Sequence, residues 1–178
     1  KRVCVFCGSS TGWRLEYVVA AQALGKELTK RDVGLVYGAG NIGLMNKVAE
    51  EVLARDGEVH GVMPKFMVDE ELARQDLTQL HIVASMHQRK ALMADLSDAF
   101  IALPGGYGTL EEFSEMITWN QLNLHQKPCG LLNVQGFFNN LLSFFDHQVH
   151  EGFLTPANRS LIVSSDDPAV LVNLLVKV

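Results

Sequence analysis

The run ALPGGYGTLEE at 102–112 combines two chemistries that work against each other. Gly105, Gly106 and Gly108 free the backbone to turn with positive φ and to bring N–H groups close to an anion. The run then ends in Glu111 and Glu112, which would repel one. Just upstream, MHQRK at 86–90 supplies Arg89 and Lys90. On a helix Met86, Arg89, Lys90 and Met93 share a stripe at i, i+3, i+4 and i+7. The two cations then read either as a fork for phosphate or as a solvated pair with methionine packing. A phosphate site beside a carboxylate points to chemistry at a phosphorylated sugar. Cleavage of an N-glycosidic bond passes through an oxocarbenium-like state. A carboxylate can stabilise that state, attack it or activate water towards it. A neighbouring cation holds the phosphate and offsets repulsion between the two anions. Glu112 also has a purely structural reading. TLEE is a capping box, with Thr109 at N-cap and Glu112 at N3, and acids suit the first turn of a helix.

These residues are positioned by a repeated β-α pattern. Apolar runs at 3–7, 33–37, 58–63, 80–84, 99–103, 129–133 and 161–164 read as strands. Helical periodicity covers 14–31, the stretch after the second glycine loop to about Arg55, 86–97, 109–124 and 136–151. A closing helix follows, with Asp167 as N-cap and Pro168 in its first turn. Residues 64–79 are irregular and carry Asp69, Glu70 and Glu71. Near-continuous apolar strands separated by helices mean a parallel sheet covered on both faces. The expected fold is α/β: a Rossmann-like, doubly wound parallel sheet in a three-layer α/β/α sandwich, with 1–178 as one nucleotide-binding domain. Ligands bind such sheets at the carboxyl ends of the strands. Three small-residue turns follow strands (CGSS, YGAGNIG and PGGYGT), and they are expected to converge on one crevice.

Composition excludes several classes. The chain has 178 residues, 48% hydrophobic, and a net charge of −5 without basic blocks, which argues against nucleic-acid binding. No apolar run approaches the ~20 residues of a membrane span, and no signal-peptide pattern opens the sequence. Cys4, Cys7 and Cys129 read as reduced thiols of a cytoplasmic protein. Cys4 and Cys7 form C-x-x-C on a strand, where residues three apart face opposite sides. GAGNIG at 38–43 matches the dinucleotide pattern G-x-G-x-x-G. It opens the second βαβ unit rather than the first, and no acid ends the following strand. That leaves an NAD(P)-dependent oxidoreductase as a weaker alternative, alongside a non-catalytic nucleotide-binding module. The histidines lack metal-ligand spacing, so no metal is expected. Phe137, Phe138, Phe144 and Phe145 read as core or subunit packing, and Ser9 and Ser10 as phosphate donors or caps.

Taken together, MHQRKALMADLSDAFIALPGGYGTLEE resembles the Lonely Guy family of cytokinin-activating phosphoribohydrolases, once labelled lysine decarboxylases. The signature P-G-G-x-G-T-x-x-E is met by Pro104, Gly105, Gly106, Gly108, Thr109 and Glu112. The likeness extends from CVFCGSS through VYGAGNIGLM to KPCGLLNVQGFFNNLLSFFD and EGFL. It implies hydrolysis of a nucleoside 5′-monophosphate, AMP or an N6-prenylated AMP, to free base and ribose 5-phosphate. No metal or cofactor is implied, and decarboxylation would need a pyridoxal phosphate lysine that the motif does not supply. The resemblance also implies Arg89 and Glu112 as the catalytic pair. Substrate would be bound by Glu71, Arg89, Lys90, Gly106, Tyr107, Gly108, Thr109, Leu110, Glu111, Glu112 and Thr118. A homodimer is implied, with the site near the subunit interface. The second loop departs from the family pattern: Ala39 and Asn46 stand where glycines are usual.

Overall fold

Described in the structure, a computed structural model, are residues 1–68 and 73–176. Within them seven strands form one sheet: β1 (Arg2–Phe6), β2 (Gly34–Tyr37), β3 (Val59–Pro64), β4 (Gln79–Val83), β5 (Ala99–Ala102), β6 (Cys129–Leu132) and β7 (Ile162–Ser165). All pairings are parallel, in the order β4-β3-β2-β1-β5-β6-β7. The chain starts in the middle at β1, winds outward through β2, β3 and β4, and then returns to β5 on the other side of β1. The β1–β5 seam is therefore the topological switch point, where doubly wound sheets hold their ligands.

Buried strands are apolar on both faces because helices cover both. On one side α1 (Leu15–Lys30), α2 (Gly43–Leu53) and α8 (Pro168–Leu175) pack on Val3, Val5, Leu35, Tyr37 and Ile101. On the other, α4 (Met86–Asp95), α5 (Tyr107–Gln121) and α6 (Asn139–His150) pack on Cys4, Phe6, Val36, Phe100 and Ala102. These are the three layers expected. Phe113 and Met116 lie fully buried under α5. Truncating a buried Phe of this kind costs roughly 3–5 kcal/mol, so Phe113 anchors the helix that carries Glu112. Phe138 is buried and Phe145 packs beside it, while Phe137 and Phe144 stay largely exposed. Cys4 and Cys7 join opposite clusters, and burial raises both thiols, so the C-x-x-C spacing does not bring them together.

Short α3 (Lys65–Val68) and α7 (Pro156–Arg159) occupy stretches that the sequence pattern leaves irregular. Thr155 caps α7 and Asp167 caps α8, the latter as its sequence indicates. No helix among the described residues is long and apolar enough to cross a membrane.

Candidate active site

The three small-residue loops meet at the switch point. Gly8 N donates to Pro104 O at 3.0 Å, and Leu44 N donates to Gly8 O at 3.0 Å. The loops after β1, β2 and β5 thus form one hydrogen-bonded unit.

Helix α5 rises from this unit and begins earlier than its sequence suggests. It spans Tyr107–Gln121, with Gly106 as N-cap and no side-chain cap. Thr109 is therefore its third residue and Glu112 its sixth, and the capping box is not formed. The first intrahelical bond, Leu110 N to Gly106 O at 3.2 Å, shows why. Gly106, in extended conformation, supplies the N-cap carbonyl, and the helix gains a further half-turn before Thr109. With no side chain spent on capping, amides of the first turn remain available to an anion.

The positive φ expected of these glycines is also absent. None of Gly105, Gly106 or Gly108 lies in the left-handed region. They are small for reasons of space. A Cβ at Gly105 would sit 2.0 Å from Thr109 Oγ1, whereas Cβ atoms at Gly106 and Gly108 would meet nothing within 4 Å. The latter two leave open space over the helix end.

Helix α4 places Arg89 and Lys90 on either side of itself, because neighbouring helical residues diverge by about 100°. Both are buried, Arg89 to 6% and Lys90 to 8% exposure. Arg89 Nη2 donates to Gly38 O at 2.7 Å and Nε to Val62 O at 3.0 Å. The approach is close enough that a Cβ at Gly38 would fall 2.0 Å from Nη2. Arg89 thus explains the first glycine of GAGNIG. Lys90 turns the other way: its Nζ is bonded to Glu111 Oε1 and lies 3.0 Å from Glu115 Oε2. Of the two readings of the Arg-Lys pair, neither describes it: both side chains are buried rather than solvated, and they turn to different partners rather than forming one fork.

Glu112 has neither hydrogen bond nor ion pair among the described residues. Burial raises its carboxyl above the usual range, Glu111 and Glu115 add to the rise, and Arg89 and Lys90 oppose it. Burial likewise lowers the Arg89 guanidinium, with Glu112 its main opposing influence. The two groups are coupled through space, and the carboxylate remains free to meet a ligand.

A cavity of about 290 Å³ contains this pair, near the lower end of the ~300–1,000 Å³ of ligand sites. Its wall includes Arg89, Gly106, Tyr107, Gly108, Thr109 and Glu112. Cys7, Gly8, Ser9, Met45 and Met67 complete it; the first three belong to the CGSS turn expected at the crevice and Met45 to the run VYGAGNIGLM, while Met67 has no signal in the sequence. A second cavity of about 300 Å³ adjoins it across Gly8, Ser9 and Gly106, with Tyr17, Leu44 and Phe137 on its apolar side. Four of the residues carried over from the family pattern are elsewhere in this chain. Leu110 packs on the core, Lys90 and Glu111 pair with each other, and Thr118 is exposed with its hydroxyl donating to Ser114 O at 2.8 Å. Thr118 is nine residues beyond Thr109, about 13 Å along the helix. Glu71, with Asp69 and Glu70, lies outside the described residues. Among the described residues, no group of three or more His, Cys, Asp and Glu side chains is placed to hold a metal.

The departures in the second loop are built into the packing. Ala39 has φ +60°, a conformation costly for any residue but glycine. Its methyl is buried with Met63 and Ala73, over the space that Gly61 leaves open. Its carbonyl accepts from Arg74 N at 2.9 Å, and Asn46 Oδ1 accepts from Arg74 Nη1 at 2.6 Å. The Ala39 methyl, through Ala73, and the Asn46 amide, through Arg74, therefore both hold the segment before β4.

A switch-point cavity at an uncapped helix start, lined by a buried arginine and an unpaired glutamate, defines the class: a doubly wound α/β protein with a polar cavity at the carboxyl ends of its strands. Residues 45–175 match the family model described as "Possible lysine decarboxylase". The chain is 53% identical over 175 residues to cytokinin riboside 5′-monophosphate phosphoribohydrolase LOG1 of Arabidopsis thaliana, covering 98% of this chain and 82% of that protein. It is also 53% identical to the probable cytokinin riboside 5′-monophosphate phosphoribohydrolase LOGL9 of rice (Oryza sativa subsp. japonica), covering 98% and 77%. The chain belongs to this LOG phosphoribohydrolase family. Solved structures of similar fold include the molybdenum cofactor binding protein of Rippkaea orientalis, with TM-score 0.73 at 18% identity over 97% of this chain and 93% of that one. The Moco carrier protein of Chlamydomonas reinhardtii gives TM-score 0.73 at 19% identity, over 98% and 96%. At such identities the likeness concerns the fold alone.

Proposed function

We propose that the protein hydrolyses the N-glycosidic bond of nucleoside 5′-monophosphates, AMP or N6-prenylated AMP, releasing free base and ribose 5-phosphate. The observation that carries this reading is the half-buried carboxylate of Glu112, free of hydrogen bonds and lining one cavity with Arg89 at the open start of α5. The 5′-phosphate sits at the first turn of α5, where Gly106 and Gly108 leave room and the helix dipole favours an anion. The ribosyl carbon then faces Glu112. As the C1′–N bond lengthens, positive charge develops on the sugar and the carboxylate stabilises it. Water adds to C1′ and gives up a proton, and the base departs with its electron pair and a proton. A carboxyl raised towards neutrality is a better proton acceptor than an ordinary one. Arg89 keeps that carboxylate ionised in a buried site and offsets its repulsion of the phosphate.

Decarboxylation has less support. Burial alone would lower the Lys90 ammonium, but Glu111 and Glu115 outweigh it and hold it charged. A Schiff-base lysine needs the opposite shift.

The working unit in this reading is a homodimer. Thr118 is exposed on α5, and Leu122 and Leu124 just beyond are 60% and 68% exposed, a surface suited to a second copy. The three free, buried thiols support a reducing compartment such as the cytoplasm. The test is incubation with AMP and with N6-isopentenyl-AMP, followed by chromatography for free base. Release from either supports the reading. Bound but intact nucleotide would make this a binding module.

A further inference from the structure

The hydrolase site leaves one buried ionisable cluster unused. It lies between β3 and the edge strand β4, near the start of β3 and away from the cavity. His60 on β3 is buried and His81 on β4 is half-buried. Their rings stack with centroids 5.4 Å apart, and His60 Nδ1 lies 3.1 Å from His81 Nε2. The other His60 nitrogen, Nε2, lies 2.7 Å from Glu58 Oε1. Arg2 donates to the same carboxylate from Nη2 at 3.0 Å and from Nε at 3.2 Å. Glu58 and His81 meet opposite nitrogens of one ring, so the three form a relay and not a chelate.

The relay has room for a limited number of protons. Arg2 and His60 hold the Glu58 carboxyl down to about 2, so it stays an acceptor and His60 Nε2–H donates to it. In the neutral pair, His81 Nε2–H donates to His60 Nδ1. With one added proton on His60 the bond reverses, and Nδ1–H donates to His81 Nε2. Neither state loses a hydrogen bond. A second added proton puts N–H groups on both facing nitrogens and a positive charge on each of two stacked rings.

We propose that His60 and His81 form a one-proton latch on the edge strand: the pair holds β4 on β3 while it carries at most one added proton, and a second proton parts the two strands. The charges acting on His81 are those of His60 and Arg2, and Glu58 completes the cluster. Arg2 N also donates to Asp98 at 2.8 Å. From α4, which packs on both strands, Arg89 and Lys90 bond elsewhere, while His87 and Asp95 are exposed. Strand β2 brings no charged side chain. The latch reaches the site through the chain that joins β3 to β4. Met67 of the cavity wall lies on it, as does Arg74, whose N donates to Ala39 O.

Burial lowers His81 below its ordinary 6.5, and His60 and Arg2 add to the fall. A base lowered in the folded state binds its proton more weakly there than in the unfolded chain. Its contribution to stability is therefore full above 6.5 and is lost as pH falls through the folded value.

The test follows the assigned His60 and His81 ring resonances by NMR as pH is lowered, together with backbone amide exchange at 65–68 and 79–83. Residues 99–102 of central β5 serve as the internal reference. In wild type at most one of the two rings is expected to be protonated wherever 79–83 stays protected. Below 6.5, opening of 65–68 and 79–83 grows by up to about tenfold per pH unit, beyond the intrinsic exchange rate and beyond the change at 99–102. In His81→Gln the amide can still donate to or accept from His60 Nδ1 but takes no proton, so this acid-linked growth disappears. Two protonated rings with 79–83 still protected would overturn the latch. So would opening of 79–83 while one ring is neutral, or equal acid sensitivity in His81→Gln. If His81→Gln does not fold, the wild-type titration decides alone by the first two outcomes. None of these readouts needs turnover, so the latch and the hydrolase reading stand or fall separately.

Discussion

Two sets of opposite charges lie on the same two helices one residue apart, and they are treated in opposite ways. Lys90 is closed: Glu111 and Glu115 both hold it, and its ammonium is raised despite burial. Arg89 and Glu112 are open: the guanidinium spends its hydrogen bonds on Gly38 and Val62 carbonyls, and the carboxylate has none. Two helix ends show the same contrast. Ser85 Oγ accepts from Gln88 N at 3.2 Å and Gln88 Oε1 from Ala84 N at 2.9 Å, so side chains of α4 and its N-cap serve its own N-terminus. No side chain does this for α5. Where interactions are closed the fold is held, and where they are left open a ligand is expected. Unpaired buried groups cost stability, so they are kept where they serve chemistry.

The comparison breaks most sharply at Glu112. Glu112→Gln is expected to lower kcat by roughly 10²–10⁴-fold while the protein stays folded. A comparable loss with Glu111→Gln, read in the same assay, would erase the distinction between the two acids. Arg89→Met is expected to cost roughly 10²–10³-fold in kcat/KM, together with about 1–3 kcal/mol of stability, since two buried carbonyls lose their donor. Denaturant titration checks the second part.

A pH series sharpens the contrast further. The carboxyl of Glu112 is raised above its ordinary 4.5, so the acid limb of kcat/KM lies above the usual carboxylate range. The sign for stability follows. A raised folded value means the native state holds this proton more tightly, so the group's contribution is present below about 4.5 and is lost as pH rises through the folded value. Glu112→Gln removes that dependence. Glu58, lowered to about 2 by Arg2 and His60, behaves oppositely. Its contribution is present above the ordinary value and is lost as pH falls towards 2. The smallest effect is expected at Ala39→Gly. Relief of the left-handed strain, about 1 kcal/mol, is offset by a lost buried methyl of ~0.8 kcal/mol. Thermal melts should therefore differ by less than about 1 kcal/mol, with kcat unchanged.

The sequence made the layered sheet readable because every strand is a short apolar run set between helices of regular period. It also brought Arg89 and Glu112 to notice. It misled where one pattern serves two local structures. TLEE has the spacing of a capping box, yet Gly106 starts the helix earlier and Thr109 becomes an interior residue packed on Gly105. RK reads as a fork or as a solvated pair, but a helix turns adjacent side chains apart, and only packing against β3 and α5 decides where each goes. Met67 lines the cavity with no local signal at all, because tertiary approach alone brings it there.

The central claim is that the open Arg89–Glu112 pair cleaves a nucleotide held at the end of α5. It is tested most directly by following adenine and ribose 5-phosphate from AMP in parallel for wild type and Glu112→Gln. Equimolar release by wild type, abolished in a variant that still binds AMP, is the expected result. A wild type that binds AMP and leaves it intact, or a variant that keeps the full rate, would contradict it.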